Sequence, residues 1–325
     1  MTRSNFILMS GSSFPADAKA VLYDATDPKN RIVGKSIEGV PADVWNFTGN
    51  TNTVLTVAAG FDGYVYSGGD DKTVRKISTF GIELWKFTGN TNSVWSVAVD
   101  TQGNVYSGGN DKTVRKINSN GSQVWSFTGH SGAAMSVAVD LQGNVYSGGN
   151  DKTVRKINSS GSQVWSFTGN TSFTADVAVD IQSNVYSADF GGVLRKINSS
   201  GIQVWAFTLS SDRGRNTAVD LQMNAYFGTN HGDVFKINSN GNQVWKFTDT
   251  GGSTNGIAVD LQGNVYVSDA YDQITKINSN GQKILAFRKE KWTKNVAIDL
   301  QGNVYCGGYD KTVHKIWDGY IIRTA

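Results

Sequence analysis

Residues 100–129 read DTQGNVYSGGNDKTVRKINSNGSQVWSFTG, and almost everything after residue 43 is a copy of that stretch. The next copy opens at Asp140, and Gln142 to Gly169 differs from Gln102 to Gly129 only in Ser160 standing where Asn120 stands. Self-similarity at a fixed period of about 40 residues marks a repeat architecture, in which each unit is too small to bury its own apolar face and covers it with a neighbour. The period therefore decides the fold before any local pattern does.

Within each repeat four short segments recur, rich in β-branched and aromatic residues that alternate as strands do. Segment A ends in Val97-Ala98-Val99-Asp100, segment B is Asn104-Val105-Tyr106, segment C is Val114-Arg115-Lys116-Ile117 and segment D is Val124-Trp125-Ser126-Phe127; each occurs seven times. Gln102-Gly103 joins A to B, Gly109-Asn110-Asp111 joins B to C, and Asn120-Gly121 joins C to D. Short glycine-marked links are hairpin signals, so each repeat reads as a four-stranded antiparallel meander. The chain enters on a D segment at Val44 to Phe47, and its last A, B, C set ends at Ile316 without a D of its own. Pairing the spare strand, Val44 to Thr48, with the sheet from Lys294 to Trp317 closes a ring and removes the exposed edge. The expected fold is all-β, seven four-stranded blades over residues 43–317, with 1–42 an N-terminal arm or leader and 318–325 a C-terminal tail.

This pattern resembles the repeats of seven-bladed β-propellers and mixes three related types. Ser107 to Val114, SGGNDKTV, with Gly129-His130 resembles the WD repeat; Ile257-Ala258-Val259-Asp260 with Gly263 to Asp269, GNVYVSD, resembles the NHL repeat. Asn118 to Trp125, NSNGSQVW, resembles the tryptophan-docked repeat of quinoprotein propellers. The resemblance covers about residues 43–317 and implies a fold rather than an activity, because this architecture hosts many unrelated functions. The WD-repeat histidine survives only as His130, with Asn50, Asn90 and Asn170 in its place elsewhere, and Ile-Asn or Ile-Ser replaces the closing Trp-Asp pair. Cohesion is therefore expected from the tryptophans of segment D, the tyrosines of segment B and the Val and Ile positions between sheets.

Composition narrows the classes of function. A net charge of +3 on 325 residues gives no concentrated basic surface, so neither nucleic acid nor membrane insertion is expected. Cys306 stands alone and three histidines are spread over different repeats, too few for a structural zinc site. Phe6 to Met9 is the one apolar run near the start, shorter than a Sec signal core, and no stretch has the 18 apolar residues of a membrane span.

Seven lysines recur before the end of segment C (Lys76, Lys116, Lys156, Lys196, Lys236, Lys276, Lys315), and an acid follows segment A in six repeats, with Gly60 in the first. A polyanion-binding ring is one reading; stems laid over apolar surface with paired heads is the simpler one for residues present in every blade. The Asp-Lys-Thr turns at Asp71, Asp111, Asp151 and Asp310 read as carboxylates bonding their own turns. Resemblance to quinone-dependent dehydrogenases would imply calcium and the quinone, and resemblance to the seven-bladed antibiotic lyases a histidine-centred metal site. The chain offers no residues matching either, so it is expected to be no enzyme and to carry no cofactor or metal.

Divergence carries the functional signal. The A-to-B turns stay close to LQGN and the C-to-D turns close to NSNG, whereas the D-to-A and B-to-C links of the later repeats change, and these meet on the opposite face of the disc. Asp189, Phe190, Arg213, Arg215, His231, Tyr271, Asp272, Lys289 and Trp292 are the candidate partner-binding residues there. Phe6, Ile7, Leu8, Val21, Leu22 and Tyr23 give residues 1–42 the apolar character of an assembly arm. The expectation is a binding or structural propeller whose partners are protein subunits of a larger assembly or a surface glycan. Near-identical repeats without a Sec signal suit a virion or phage-tail-like particle. A free bacterial, cytoplasmic scaffold or glycan-binding propeller is the alternative, and an enzyme using the divergent face the third.

Overall fold

Alternation becomes pleated strands and the period becomes a ring. The computed structural model describes residues 43–288 and 293–316, which form 28 strands in seven four-stranded antiparallel sheets. Blade 1 is β2 (Val54–Ala59), β3 (Val65–Gly69), β4 (Val74–Ile77) and β5 (Glu83–Phe87), in that order across the sheet. The first strands of successive blades adjoin one another around the axis, and the fourth strands form the rim. Blade 7 takes β26 (Thr293–Ile298), β27 (Val304–Gly308) and β28 (Val313–Ile316) from the end of the chain and β1 (Asp43–Phe47) from its start. β1 lies antiparallel to β28, with Asn46 opposite His314 and Phe47 opposite Val313, which is the closure expected from the spare D segment.

The core is divided among the interfaces between blades. Seven apolar clusters each join the second and third strands of one blade to the first strand of the next; Tyr66 and Val74, for example, pack on Val94, Val97, Val105 and Ile117. The second strand takes in the first residue of the expected link, Gly69 and Gly109, and the glycine before it, Gly68 and Gly108, passes tight against the next blade's inner strand. A Cβ on Gly148 would come within 2.5 Å of Thr174 Cγ2, so only glycine fits that approach. The residue in the left-handed region of the B-to-C turn is a lysine in blades 1, 2, 3 and 7, with Lys112 at φ 65°, and a glycine in blades 4 and 5, Gly192 and Gly232.

Three networks recur around the ring, the first tying blade to blade and the others bracing each blade and its entry loop. Trp45, Trp85, Trp125, Trp165, Trp205 and Trp245 each donate their Nε1–H to a backbone carbonyl in the next blade's C-to-D turn, at 2.9–3.0 Å. Blade 6 has Leu285 on the equivalent strand, β25 (Lys283–Arg288). The third and fourth strands of blade 7 come from opposite ends of the chain, so no hairpin turn exists there for a tryptophan to dock on. In the second network the tyrosine of segment B donates to the acid after segment A, as in Tyr106 to Asp100 at 3.0 Å and Tyr305 to Asp299 at 2.9 Å. The lysine ammonium sits over that tyrosine ring at 4.7–5.6 Å in all seven blades, so the seven-fold lysines are structural.

The third network was not legible beforehand. Arg75, Arg115 and Arg155 reach back to Asp71, Asp111 and Asp151, and each of these carboxylates also accepts a backbone N–H from the D-to-A loop. Asn50, Asn90 and Asn170 accept from the arginine of their blade. His130 instead bonds Asp151 and Ser147, and burial holds its imidazole below the ordinary range despite the carboxylate. The arm residues Phe6, Ile7, Leu8, Val21, Leu22 and Tyr23, together with Trp317 and the tail 318–325, lie outside the described residues.

Candidate functional site

At the start of every inner strand the ladder to the second strand slips by one residue, between Val54 and Thr56 in blade 1 and at the same place in the other six. A bulge leaves one residue without a partner and re-aims its side chain. The bulged residues are Leu55, Trp95, Met135, Ala175, Arg215, Asn255 and Lys294, and all seven line one cavity of about 320 Å³ at the ring axis. It lies at the end of the ring where the D-to-A and B-to-C links meet. The bulged residues of blades 1 to 4 contribute an apolar side, completed by Phe173 and Phe190, and those of blades 5 to 7 a polar and charged side.

In every blade but the sixth, where it is Gly256, the residue after the bulge stitches neighbouring inner strands together. Thr56, Ser96 and Ser136 accept the amide N–H of Val97, Val137 and Val177 in the next blade, at 3.1–3.2 Å, and Asn295 closes the circle by accepting from Val57. In blade 4 this residue is Asp176, whose carboxylate accepts from Thr217 N at 2.9 Å, Val177 N at 2.9 Å and Ser136 Oγ at 2.6 Å. Desolvation raises its pKa to about 6, outweighing those three bonds. Arg215 donates to Thr254 O at 2.8 Å and Asn230 Oδ1 at 3.2 Å, and desolvation lowers its pKa. Lys294 stands over the Tyr309 ring at 4.5 Å.

Several residues singled out from the sequence gather here, and others do not. Phe190 and Arg215 line the cavity. Phe190 stacks on Phe173 with ring centroids 4.6 Å apart, and the exposed Arg213 covers its other side at 4.9 Å. Asp189 is withdrawn from the partner surface: it is fully buried, pairs with Arg195 at 2.6 Å and accepts Thr171 N. It performs in blade 4 the task of Asp71, Asp111 and Asp151 from two positions earlier in the repeat. Sequence divergence at that point is therefore a relocated structural carboxylate.

On the rim His231 is exposed and pairs with Asp212 at 2.8 Å. Tyr271, also exposed, lies on Gly252, where a Cβ would come within 2.6 Å of its ring. Asp272 holds the left-handed position of its turn, φ 68°. Lys289 and Trp292 lie outside the described residues. Trp95, Met135 and Lys294 were missed. Aligning the seven repeats would have found them, since the bulge column holds seven different residues in repeats whose A-to-B turns barely change.

The fold is that of a seven-bladed β-propeller. The WD domain, G-beta repeat, matches residues 42–77, and the solved structure of the WD40 β-propeller domain of Doa1 superposes with a TM-score of 0.77. That pair shares 18% identity over 86% of this chain and 97% of the other, so it establishes the fold alone. A PQQ-repeat model described as outer membrane protein assembly factor BamB matches residues 70–234, just over half of the chain. The protein belongs to that PQQ-repeat family. No curated protein matches. The fold discriminates little by itself, since 1678 solved chains match it. Among the described residues no cluster of His, Cys, Asp and Glu could hold a metal ion, and no helix is long and apolar enough to cross a membrane.

Proposed function

We propose that the protein is a non-enzymatic binding propeller that seats a protein partner on the D-to-A and B-to-C face, over the axial cavity and the rim formed by Arg213, His231 and Tyr271. One observation carries this. Seven bulges place seven different side chains at structurally equivalent points, while the turns of the opposite face repeat almost unchanged. Exposed links tolerate drift on either face, so variation confined to one face and to its centre marks a surface with a task. The Doa1 propeller and the WD-repeat match support a scaffold of this kind by fold. The particle setting and the arm turn on residues 1–42, and their test is light scattering of the full chain beside a chain beginning at Pro41.

The binding face is tested with two variants that leave the core alone. One carries Arg213→Ala, His231→Ala and Tyr271→Ala; the other carries Leu141→Ser, Ile181→Ser and Leu261→Ser in the exposed A-to-B turns of the uniform face. Exposed substitutions of this sort shift stability by about 0.5 kcal/mol each or less, so both should melt close to wild type. Partners captured from the source organism should be lost with the first variant and kept with the second. Retention by the first, or loss only with the second, would overturn the assignment.

A further inference from the structure

The axial cavity has two unlike walls. Trp95, Met135 and Phe190 supply an apolar and aromatic side, and Arg215 and Lys294 stand across from it. Among the described residues no carboxylate pairs with either cation, although Arg75, Arg115, Arg155 and Arg195 each have one. Asp176, the acid in the lining, has its oxygens taken by Ser136, Val177 and Thr217. The Arg215 guanidinium spends donors on Thr254 O and Asn230, neutral groups that hold it in place without neutralising it. Lys294 likewise leans on a neutral group, the Tyr309 ring at 4.5 Å, and half-buried cations without a carboxylate beside an apolar wall are costly alone and strong anchors for an anion.

We propose that this cavity binds a carboxylate carried on an apolar or aromatic group, with the carboxylate on Arg215 and Lys294 and the body against Trp95, Met135 and Phe190. The free end of a polypeptide finishing in an apolar residue and a small organic acid share that chemistry. Assignment to a partner's chain end rests on the binding-face reading above, whereas the carboxylate site itself does not. A volume of about 320 Å³ sits at the lower limit of the ~300–1,000 Å³ typical of ligand pockets. It admits one large side chain with its carboxylate and excludes a folded element.

The experiment is calorimetric titration of the full chain with N-acetylphenylalanine, with its uncharged amide, and with a five-residue peptide ending in phenylalanine with a free carboxylate. The acid should bind at least tenfold more tightly than the amide. Lys294→Gln and Arg215→Gln should each bring the acid towards the amide, and Trp95→Ala should weaken both ligands. Where the loss of the Thr254 and Asn230 bonds unfolds the Arg215 variant in a thermal melt, Lys294→Gln carries the test. A peptide at least tenfold tighter than the acetylated amino acid assigns the site to chain ends, and equal affinity assigns it to small acids. Indistinguishable acid and amide, no heat from either at millimolar concentration, or an unchanged Lys294→Gln would overturn the proposal. These titrations need no partner, so their outcome is independent of the rim-variant capture experiment.

Discussion

Replacing Asp176 by Ser should remove a pH dependence from the stability of the ring. Serine stands at the equivalent place in blades 2 and 3, where Ser96 and Ser136 accept the next blade's amide at 3.1 Å, so the variant keeps the stitch to Thr217. What it loses is a carboxyl whose pKa desolvation raises from 3.8 to about 6. The folded protein then holds the proton more tightly than the unfolded chain. Its contribution to stability is complete below about pH 3.8 and is lost as pH rises through about 6. Two pKa units at ~1.36 kcal/mol each set a ceiling of about 3 kcal/mol, which water in the cavity reduces. Urea unfolding of both proteins from about pH 4 to pH 8 should show the variant gaining about 2–3 kcal/mol on the wild type over that window. The buried His130 titrates with the opposite sign, losing stability as pH falls below its ordinary range, but it is common to both chains and cancels in the difference. A difference that stays flat with pH would refute the desolvated-carboxyl argument.

Two further substitutions test what holds the ring together. Gly161, at φ +88°, faces the Trp125 ring with room for no Cβ beyond 2.9 Å, whereas Gly302, at φ +82°, has nothing within 4 Å. Gly302→Ala should cost only the left-handed strain, about 1–2 kcal/mol, and Gly161→Ala about 2 kcal/mol more because the tryptophan must undock; equal midpoints in urea would remove the docking from the stability account. Phe47 is 8% exposed in the cluster joining blades 7 and 1, while Val44 on the same strand is 39% exposed. Phe47→Ala should cost about 3–5 kcal/mol and Val44→Ala about 0.5 kcal/mol, and similar thermal shifts for both would mean that β1 does not close the ring.

Most of the fold was legible because its signals are periodic. Glycine-marked links fixed the hairpins, and the order D, then six full sets, then A, B, C implied that β1 completes the last sheet. The places where expectation and structure part are those where three-dimensional packing decides. Gly109 ends a strand instead of opening a turn, and the chain entering the first strand of its own blade passes so close that Ser93 O lies 2.6 Å from where its Cβ would be. Leu285 breaks the tryptophan series because blade 7 has no hairpin to dock on. Asp189 looked like a variable surface acid and is a buried partner of Arg195, since a carboxylate two residues earlier reaches the same arginine and the same loop amide. Arg213, His231 and Tyr271 were found because they lie in links that visibly depart from the repeat.

The amino-acid sequence alone determined the number of blades, the four strands of each, the ring closure and the face on which variation collects, because each of these follows from short-range pattern multiplied by the period. Only the tertiary structure decided which residues meet at the axis. Leu55, Trp95, Met135, Ala175, Arg215, Asn255 and Lys294 stand about 40 residues apart, and no local property marks them as neighbours. A bulge at the head of each inner strand turns them inward, and closure of the ring brings seven separate strands within reach of one another. The same closure leaves Arg215 and Lys294 across from an aromatic wall without a carboxylate, a juxtaposition that exists only when every blade is in place.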